Sequence, residues 1–273
     1  MVCSRKNIVG NLFKLNMNTI LNYDKIAQDY NQRYPASQQW ERGQALLDLA
    51  NRYKNGNILE VGSGTGYWLN LLHRVTATLF GLDYSFGMIQ QAKGQPAPLQ
   101  LLRGSAVQLP YRDNTFDLLY SVDAIHHFGN HKAFVAESFR VLRPGGAFAT
   151  IGHDPHEGTT KWYAYDYFDG VYDTDLRRYP SGKSMIEWMK DCGFENTSTQ
   201  AIEHIQNIHV GDAILRDPFL KQNATSQLAL LGKETYDDGV KRIKRALADA
   251  KEKNETIAFN ADIQVKMFLG YKP

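Results

Sequence analysis

Residues 57–72 read N-I-L-E-V-G-S-G-T-G-Y-W-L-N-L-L, and this stretch decides the fold. The apolar run from Ile58 to Val61 has the length and branching of a buried strand. Gly62, Gly64 and Gly66 follow at every second position, and a helical pattern opens behind them with Trp68, Leu69, Leu71 and Leu72 on one side. Strand, glycine turn and helix make the opening of a nucleotide-binding βαβ unit. Glycines without Cβ atoms let the turn take unusual dihedrals and let a ligand approach the backbone. The helix start offers backbone N–H groups that have no partner within the helix.

The glycine spacing narrows the choice. A dinucleotide-binding turn, G-x-G-x-x-G, needs glycine at 67, where this chain has Tyr67. Glu60 stands two residues before the first glycine. This E-x-G-x-G-x-G form resembles the first motif of the class I S-adenosylmethionine-dependent methyltransferases. In that family the loop packs on the amino-acid end of the cofactor, which would assign Glu60, Gly62, Gly64 and Gly66 to it.

Working outward, 78–82 reads as a second strand ending at Asp83. An acid about 20 residues past a glycine loop suits the two ribose hydroxyls. Tyr84 beside it is expected in the same site. A third strand, 99–102, leads into Gly104-Ser105-Ala106-Val107-Gln108-Leu109-Pro110. That segment is similar to the family's G-D-A-x-x-L-P piece beside the adenine, with Ser105 in place of the usual Asp and Ala106 next to it. A hydroxyl is a weaker acceptor than a carboxylate, so the adenine contact departs from the family pattern. The fourth strand, 116–122, carries Ser121 near its end and runs into Asp123-Ala124-Ile125-His126-His127-Phe128. Val141-Leu142-Arg143-Pro144-Gly145-Gly146 reads as a turn into a fifth strand, 147–151. Together the F-D-x-x-x-S, H-H-F and L-R-P-G-G pieces resemble the ubiquinone-biosynthesis type of the family. The resemblance covers roughly 23–153. Upstream, Tyr23-Asp24-Lys25-Ile26-Ala27-Gln28-Asp29-Tyr30 is similar to a helix that closes over the cofactor in these enzymes. That implies Tyr23 at the cofactor, the rival reading being a packing helix with aromatics on one side.

At 273 residues the chain can bury a substantial core. Hydrophobic content of 43% and charged content of 22% describe an ordinary globular protein. With 31 basic and 29 acidic residues the charge is too balanced for a nucleic-acid footprint. Lys241-Arg242-Ile243-Lys244-Arg245 falls in a helical pattern and reads as a solvated face. No apolar stretch is long enough to span a membrane. Two distant cysteines, Cys3 and Cys192, and a poor signal-peptide pattern fit a reducing cytoplasm.

The expected organisation is a flexible extension over 1–18 and a single methyltransferase domain over 19–273. The sheet is expected to be doubly wound, α/β, Rossmann-like, seven-stranded and mostly parallel, with an antiparallel last strand. A short helix is expected over 184–192, stopped by Gly193, then a strand over 195–210 and a final strand over 262–271. Two insertions, near 154–182 and 209–260, are expected to form a helical cap over the carboxyl ends of the strands, where open α/β sheets bind ligands.

Moving a methyl group requires alignment, exclusion of water and, for an acidic nucleophile, a base. His153 follows the fifth strand and faces the expected cap, so it is the favoured catalytic residue, with His126 second and His127 beside it. For His126 and His127 the rival reading is packing at a helix start. His153-Asp154-x-His156 lacks a fourth metal partner, and no metal is expected. Trp162, Tyr163, Tyr165, Tyr167, Phe168, Tyr172 and Tyr179 crowd one segment. They read either as an aromatic pocket or as the packed underside of a lid. Arg177 and Arg178 are expected at the surface, the rival being an anion contact. Glu203, His204 and His209 are expected to face solvent or the cap. The cofactor implied by the resemblance is S-adenosyl-L-methionine and the partner a small-molecule substrate. The competing functions are an NAD-dependent oxidoreductase, which the glycine spacing disfavours, and a non-catalytic cofactor-binding protein.

Overall fold

A computed structural model describes residues 23–25, 27, 41–76 and 78–273. The expected extension over 1–18 lies outside them. Helix α1 (Glu41–Asn51) buries Arg42, Leu46, Leu49 and Ala50, an i, i+4, i+7, i+8 stripe. Strand β1 (Ile58–Val61) is buried throughout and enters α2 (Tyr67–Leu72) through the glycine turn. Strand β2 (Leu79–Asp83) leads to α3 (Phe86–Ala92), whose cap Ser85 accepts a hydrogen bond from the Met88 N–H at 3.1 Å. Strands β3 (Gln100–Arg103) and β4 (Phe116–Val122) follow, then α4 (His131–Val141), capped by Asn130. Strand β5 (Leu142–Gly152) ends the parallel core. The L-R-P-G-G segment, expected as a turn, forms the first residues of this strand, beside an irregularity in the β4–β5 register between Phe116 and Leu118.

Beyond β5 the chain builds β6 (Lys161–Trp162), α5 (Tyr163–Tyr167) and α6 (Val171–Arg178). Helix α7 (Gly182–Cys192) stops at Gly193, whose φ of 99° is the left-handed C-cap. Strand β7 (Glu195–Val210), short turns at Gly211–Arg216 and Pro218–Leu220, α8 (Ser226–Ala229), α9 (Lys233–Glu252) and β8 (Ala258–Tyr271) complete the order.

Strands β3, β2, β1, β4 and β5 lie side by side in that order and are parallel. Strand β8 runs antiparallel beside β5, and β7 pairs antiparallel along the other edge of β8. The sheet has eight strands where seven were expected. The additional one is β6, two residues long and too short to show a periodic pattern, which pairs with Ala261 and Asp262 of β8. The strand order reverses between β1 and β4, the switch point at which such sheets open a crevice. No helix among the described residues is long and apolar enough to cross a membrane.

Two apolar clusters fill the two faces of the sheet, one around Leu46, Leu69 and Tyr120 and the other around Phe116, Phe134 and Phe148. A third lies in the cap, where Trp162, Tyr163, Phe168, Ile214, Leu228, Ile243 and Phe259 meet. The basic run on α9 is solvent-facing except for Ile243, as expected from its spacing.

Helix α9 approaches the cap through Gly239, where an added Cβ would lie 2.2 Å from Cδ1 of the buried Phe168 ring. Alanine gains roughly 0.5–1 kcal/mol over glycine in a helix, whereas overpacking a core costs roughly 1–3 kcal/mol. A contact this short on a ring that cannot swing away makes the second effect win. Gly239→Ala should therefore lower the urea midpoint at unchanged m-value, and a raised midpoint would mean that α9 does not pack on Phe168.

Candidate functional site

The glycine turn sits at the carboxyl end of β1. Gly62, at φ 76°, packs so closely on the segment that follows β4 that a Cβ would lie 2.5 Å from that of Ala124. Gly64, at φ 52°, has no described residue within 4 Å of the place a Cβ would occupy. One glycine thus closes the loop against that segment, and the other leaves its backbone bare among the described residues.

Asp83 ties this loop to the next. The Gly64 N–H donates to its Oδ2 and the Ser85 N–H to its Oδ1, each at 2.8 Å. Burial raises the Asp83 carboxyl above its ordinary range, against the pull of these two N–H groups. Each oxygen still has capacity for a second donor. Tyr84 is 74% exposed, with the Arg103 guanidinium 5.8 Å from its ring centroid. Such a carboxylate, an open aromatic face and bare loop backbone can hold a ribose, a flat base and an amino-acid tail. Ser105 lies in the short bridge to Gln108, its Oγ accepting from the Val107 N–H at 3.4 Å, and Ala106 beside it is buried.

Glu60 stands near the end of β1, two residues before the turn. It is 1% exposed, its Oε2 accepts from the Tyr120 hydroxyl at 3.2 Å, and burial pushes its carboxyl well above the carboxylate range. It ties β1 to β4. Ser121 is fully buried, its Oγ without a hydrogen-bond partner among the described residues. Neither side chain lines the cavity described below.

Tyr23 and Asp24 come to the same end of the sheet. Asp24 Oδ1 accepts from the Ser85 hydroxyl at 2.6 Å and the Gly87 N–H at 2.7 Å, which holds its carboxyl below the ordinary range. The Tyr23 hydroxyl lies 2.7 Å from His127 Nε2. Arg178 can only donate, and its Nη2 is 3.2 Å from His127 Nδ1. A neutral His127 ring therefore carries its proton on Nε2 and donates it to Tyr23.

Between sheet and cap lies a cavity of about 210 Å3. Its floor holds Tyr23, Arg42, Asp123, His126 and His153; its cap side holds Trp162, Tyr179, Asp217, Phe219 and Thr225-Ser226-Gln227. The β7–β8 hairpin supplies a wall of Ile205, Asn207, His209, Ala261, Ile263 and Val265. His153 Nε2 is 3.4 Å from the Tyr165 hydroxyl and 3.9 Å from Asp175 Oδ2. Burial lowers the His153 imidazole below its ordinary 6.5, although Asp175, Asp123 and Asp154 oppose the shift. His126 is buried deeper and held well below that value, first by desolvation and then by His127 and Arg178. Its ring stacks on Tyr179 at 4.2 Å, and its Nε2 faces the Tyr179 hydroxyl at 3.4 Å and Ser226 Oγ at 3.3 Å. At neutral pH both rings are uncharged and able to accept a proton.

Arg178 corrects the surface reading. It is 5% exposed and donates through Nη2 to Ser226 Oγ at 3.2 Å, with Nη1 3.9 Å from Asp175 Oδ1. Only Arg177 is exposed. Glu203 is likewise turned inward, ion-paired with the buried Arg42, which also pairs with Asp123. His204 is half-exposed against Asp262, and His209 lines the cavity. Of the aromatic segment, Trp162 and Tyr179 face the cavity. Tyr163 and Tyr165 spend their hydroxyls on Asp217 and Asp175. Among the described residues no cluster of three or more His, Cys, Asp or Glu side chains could hold a metal ion.

Arg42, Asp123, Asp175, Ser226 and Gln227 were not foreseen. A signal existed for two of them. Arg42 shares the apolar stripe of α1, and Asp175 and Arg178 stand at i+4 and i+7 from Val171 on the buried face of α6.

Comparison with known proteins agrees with this geometry. The family described as methyltransferase domain matches residues 59–150. A probable S-adenosylmethionine-dependent methyltransferase of Mycolicibacterium smegmatis is 29% identical over 160 residues, 57% of this chain and 58% of that one. A malonyl-[acyl-carrier protein] O-methyltransferase of Hamiltonella defensa is 34% identical over 131 residues, 47% of this chain and 50% of that one. The chain thus spans a little over half the length of these curated relatives at most. A solved putative methyltransferase from an antibiotic biosynthesis pathway of Anabaena variabilis superposes with a TM-score of 0.64 at 21% identity. The superposition covers 85% of this chain and 97% of that one. These relatives do not single out the ubiquinone-biosynthesis branch. Residues 59–150 are a methyltransferase domain, and the chain is built on the class I S-adenosylmethionine-dependent methyltransferase fold.

Proposed function

We propose that the chain transfers a methyl group from S-adenosyl-L-methionine to a small molecule held in the cavity between sheet and cap. The observation that carries this reading is one of placement. Gly64 and Ser85 both donate to the Asp83 carboxylate, Ser85 donates in turn to Asp24, and Tyr23 next to Asp24 lines a cavity walled by the cap and holding His153. Bound there, the cofactor supplies an electrophilic methyl group. Asp83 takes the ribose hydroxyls, Tyr84 and the Ser105–Ala106 backbone flank the base, and Gly62, Gly64 and Gly66 leave room for the amino-acid tail, with Glu60 and Ser121 as supports from beneath. Tyr23 closes this end of the cavity.

Residues 19–273 then work as a single domain, with 154–182 and 209–260 as the cap. The cap's role is to order the acceptor and exclude water. His153 is the proposed acceptor for a proton released by a hydroxyl or ammonium nucleophile, and His126, fixed by Tyr179 and Ser226, is its neighbour in the cavity floor.

Calorimetry with S-adenosylhomocysteine tests the cofactor assignment. A one-to-one complex is expected, with no binding of NAD; saturable NAD binding alone would overturn it. Asp83→Ala should weaken that complex at least tenfold, because charge-assisted hydrogen bonds are worth roughly 1.5–3 kcal/mol each. An unchanged dissociation constant in the folded variant would remove Asp83 from the site.

The base assignment makes a separate prediction. His153→Ala should lower turnover with an accepted substrate about 100-fold while leaving S-adenosylhomocysteine affinity intact. Protonation blocks the role, and the His153 imidazole is held below 6.5, so the rate should be level above that pH and fall on its acid side. A rate that rises on acidification would contradict a neutral imidazole base.

A further inference from the structure

The cavity is unevenly charged, and the imbalance points to a ligand. Among the described residues that line it, Arg42 is the sole arginine or lysine, against the carboxylates of Asp123 and Asp217. Arg42 is already committed to Asp123 and Glu203. It is shared between these two carboxylates, and among the described residues this end of the cavity offers no further lysine or arginine. At the other end Asp217 is 8% exposed. Its Oδ2 accepts from the Tyr163 hydroxyl at 2.7 Å and its Oδ1 from the Phe219 N–H at 3.0 Å. Among the described residues its one ion-pair partner is His209 Nε2, at 3.3 Å, and no lysine or arginine lies within 4 Å.

Around this carboxylate the walls are aromatic. Trp162, Phe219 and Tyr179 face the same space, and no lysine or arginine among the described residues sits over the Trp162 or Phe219 ring. Ring faces attract cations, most strongly when water is excluded. An anionic ligand would meet two carboxylates and a cation already shared, and burying a charge without a partner is costly. An ammonium group would meet a buried carboxylate, the indole of Trp162 and the side-chain amides of Asn207 and Gln227. Asn207 and His209 stand two residues apart on one face of β7, so both project toward the same part of the cavity.

We propose that the small-molecule substrate carries a protonated amine, and that Asp217, with His209 beside it and Trp162 and Phe219 around it, is the seat of that ammonium group. The proposal rests on the methyltransferase reading of the cavity and specifies its substrate class. The seat accounts for the position of His209: its Nε2 lies 3.3 Å from Asp217 Oδ2, a contact that an incoming ammonium would replace. The amine is a recognition group in this scheme, and the methylated atom lies toward His153 and Asp123 at the floor.

The test uses the full chain saturated with S-adenosylhomocysteine and three probes of matched shape: phenethylamine, 2-phenylethanol and 3-phenylpropionate. Ligand-observed NMR with calorimetric titration reads their affinities. The amine is expected to bind at least tenfold tighter than the alcohol, and the carboxylate to bind weakest. Asp217→Asn should bring the amine down to the level of the alcohol. His209→Lys, which fixes a permanent cation beside an intact Asp217, should do the same without removing the hydrogen bonds from Tyr163 and Phe219, and so covers the case in which Asp217→Asn misfolds. The inference is overturned if the carboxylate matches or exceeds the amine, if the amine keeps its advantage in both variants, or if none of the probes binds. Failure of S-adenosylhomocysteine to bind would instead strike the methyltransferase reading. Saturable S-adenosylhomocysteine binding without amine preference would sink the ammonium seat alone.

Discussion

The cavity depends on one ladder, the pairing of β7 with β8 from Glu195–Tyr271 to Val210–Ala258. Its lower half completes the sheet, since Lys266 to Tyr271 also pair with β5. Its upper half rises past the end of β5, where among the described residues the two-residue β6 alone pairs beside it, and two strands with so little support are marginal in water. Between Ala201 and Glu203 the register shifts, an irregularity that bends a ladder and resets which residues face which side. Above that point Ile205 stands opposite Ile263 and Asn207 opposite Ala261. With Glu203, His209 and Val265 they occupy one face by the period-two rule. That face is the cavity wall. The segment 211–257 leaves the top of the hairpin, packs its own apolar cluster around Phe168 and Phe259, and lends the ladder the burial it lacks.

Buried charge is the second organising feature. Arg42 reaches from α1 to Asp123 at the end of β4 and to Glu203 on the hairpin, so one guanidinium links helix, core and cap wall. Asp175 and Arg178 form a looser pair under the cap, with Tyr165 and Gln227 donating to the aspartate. Such pairs add little net stability over apolar side chains of the same size, yet removing one partner alone is costly. Their use here is to set the orientation of His126, His127 and His153, which lie within this network and are fixed by hydroxyl and guanidinium contacts. Burial, and then His127 at 4.0 Å between ring centroids, disfavour a charged His126 ring.

The catalytic core was legible because its signals are local. The strand Phe116–Val122 has the bounds expected from its apolar run, and Gly193 ends α7 where its position implied. Asp83 ends β2, and Gly62 and Gly64 form the turn after β1, as the apolar runs and the glycine spacing implied. The cap was legible only in outline. Strand β8 begins at Ala258, four residues before the expected start, because Ala258 and Asn260 are weak strand formers and their alternation with Phe259 and Ala261 is faint. Arg178 was misjudged because charge was weighed before helical position; its spacing from Val171 put it on the buried face. The contacts of Ser226 and Gln227 with His126 and Tyr179 span about a hundred and about fifty residues, and no periodicity in the chain encodes them.

The structure of the chain in complex with S-adenosylhomocysteine tests the central claim most directly, because the claim concerns where the cofactor's sulfur points. The account predicts the ribose on Asp83, the tail along Gly62 to Gly66, and the sulfur opening onto the cavity that Asp123, His126, His153 and Tyr179 line. A sulfur walled off from that cavity, or a ligand bound on another face of the sheet, would contradict it.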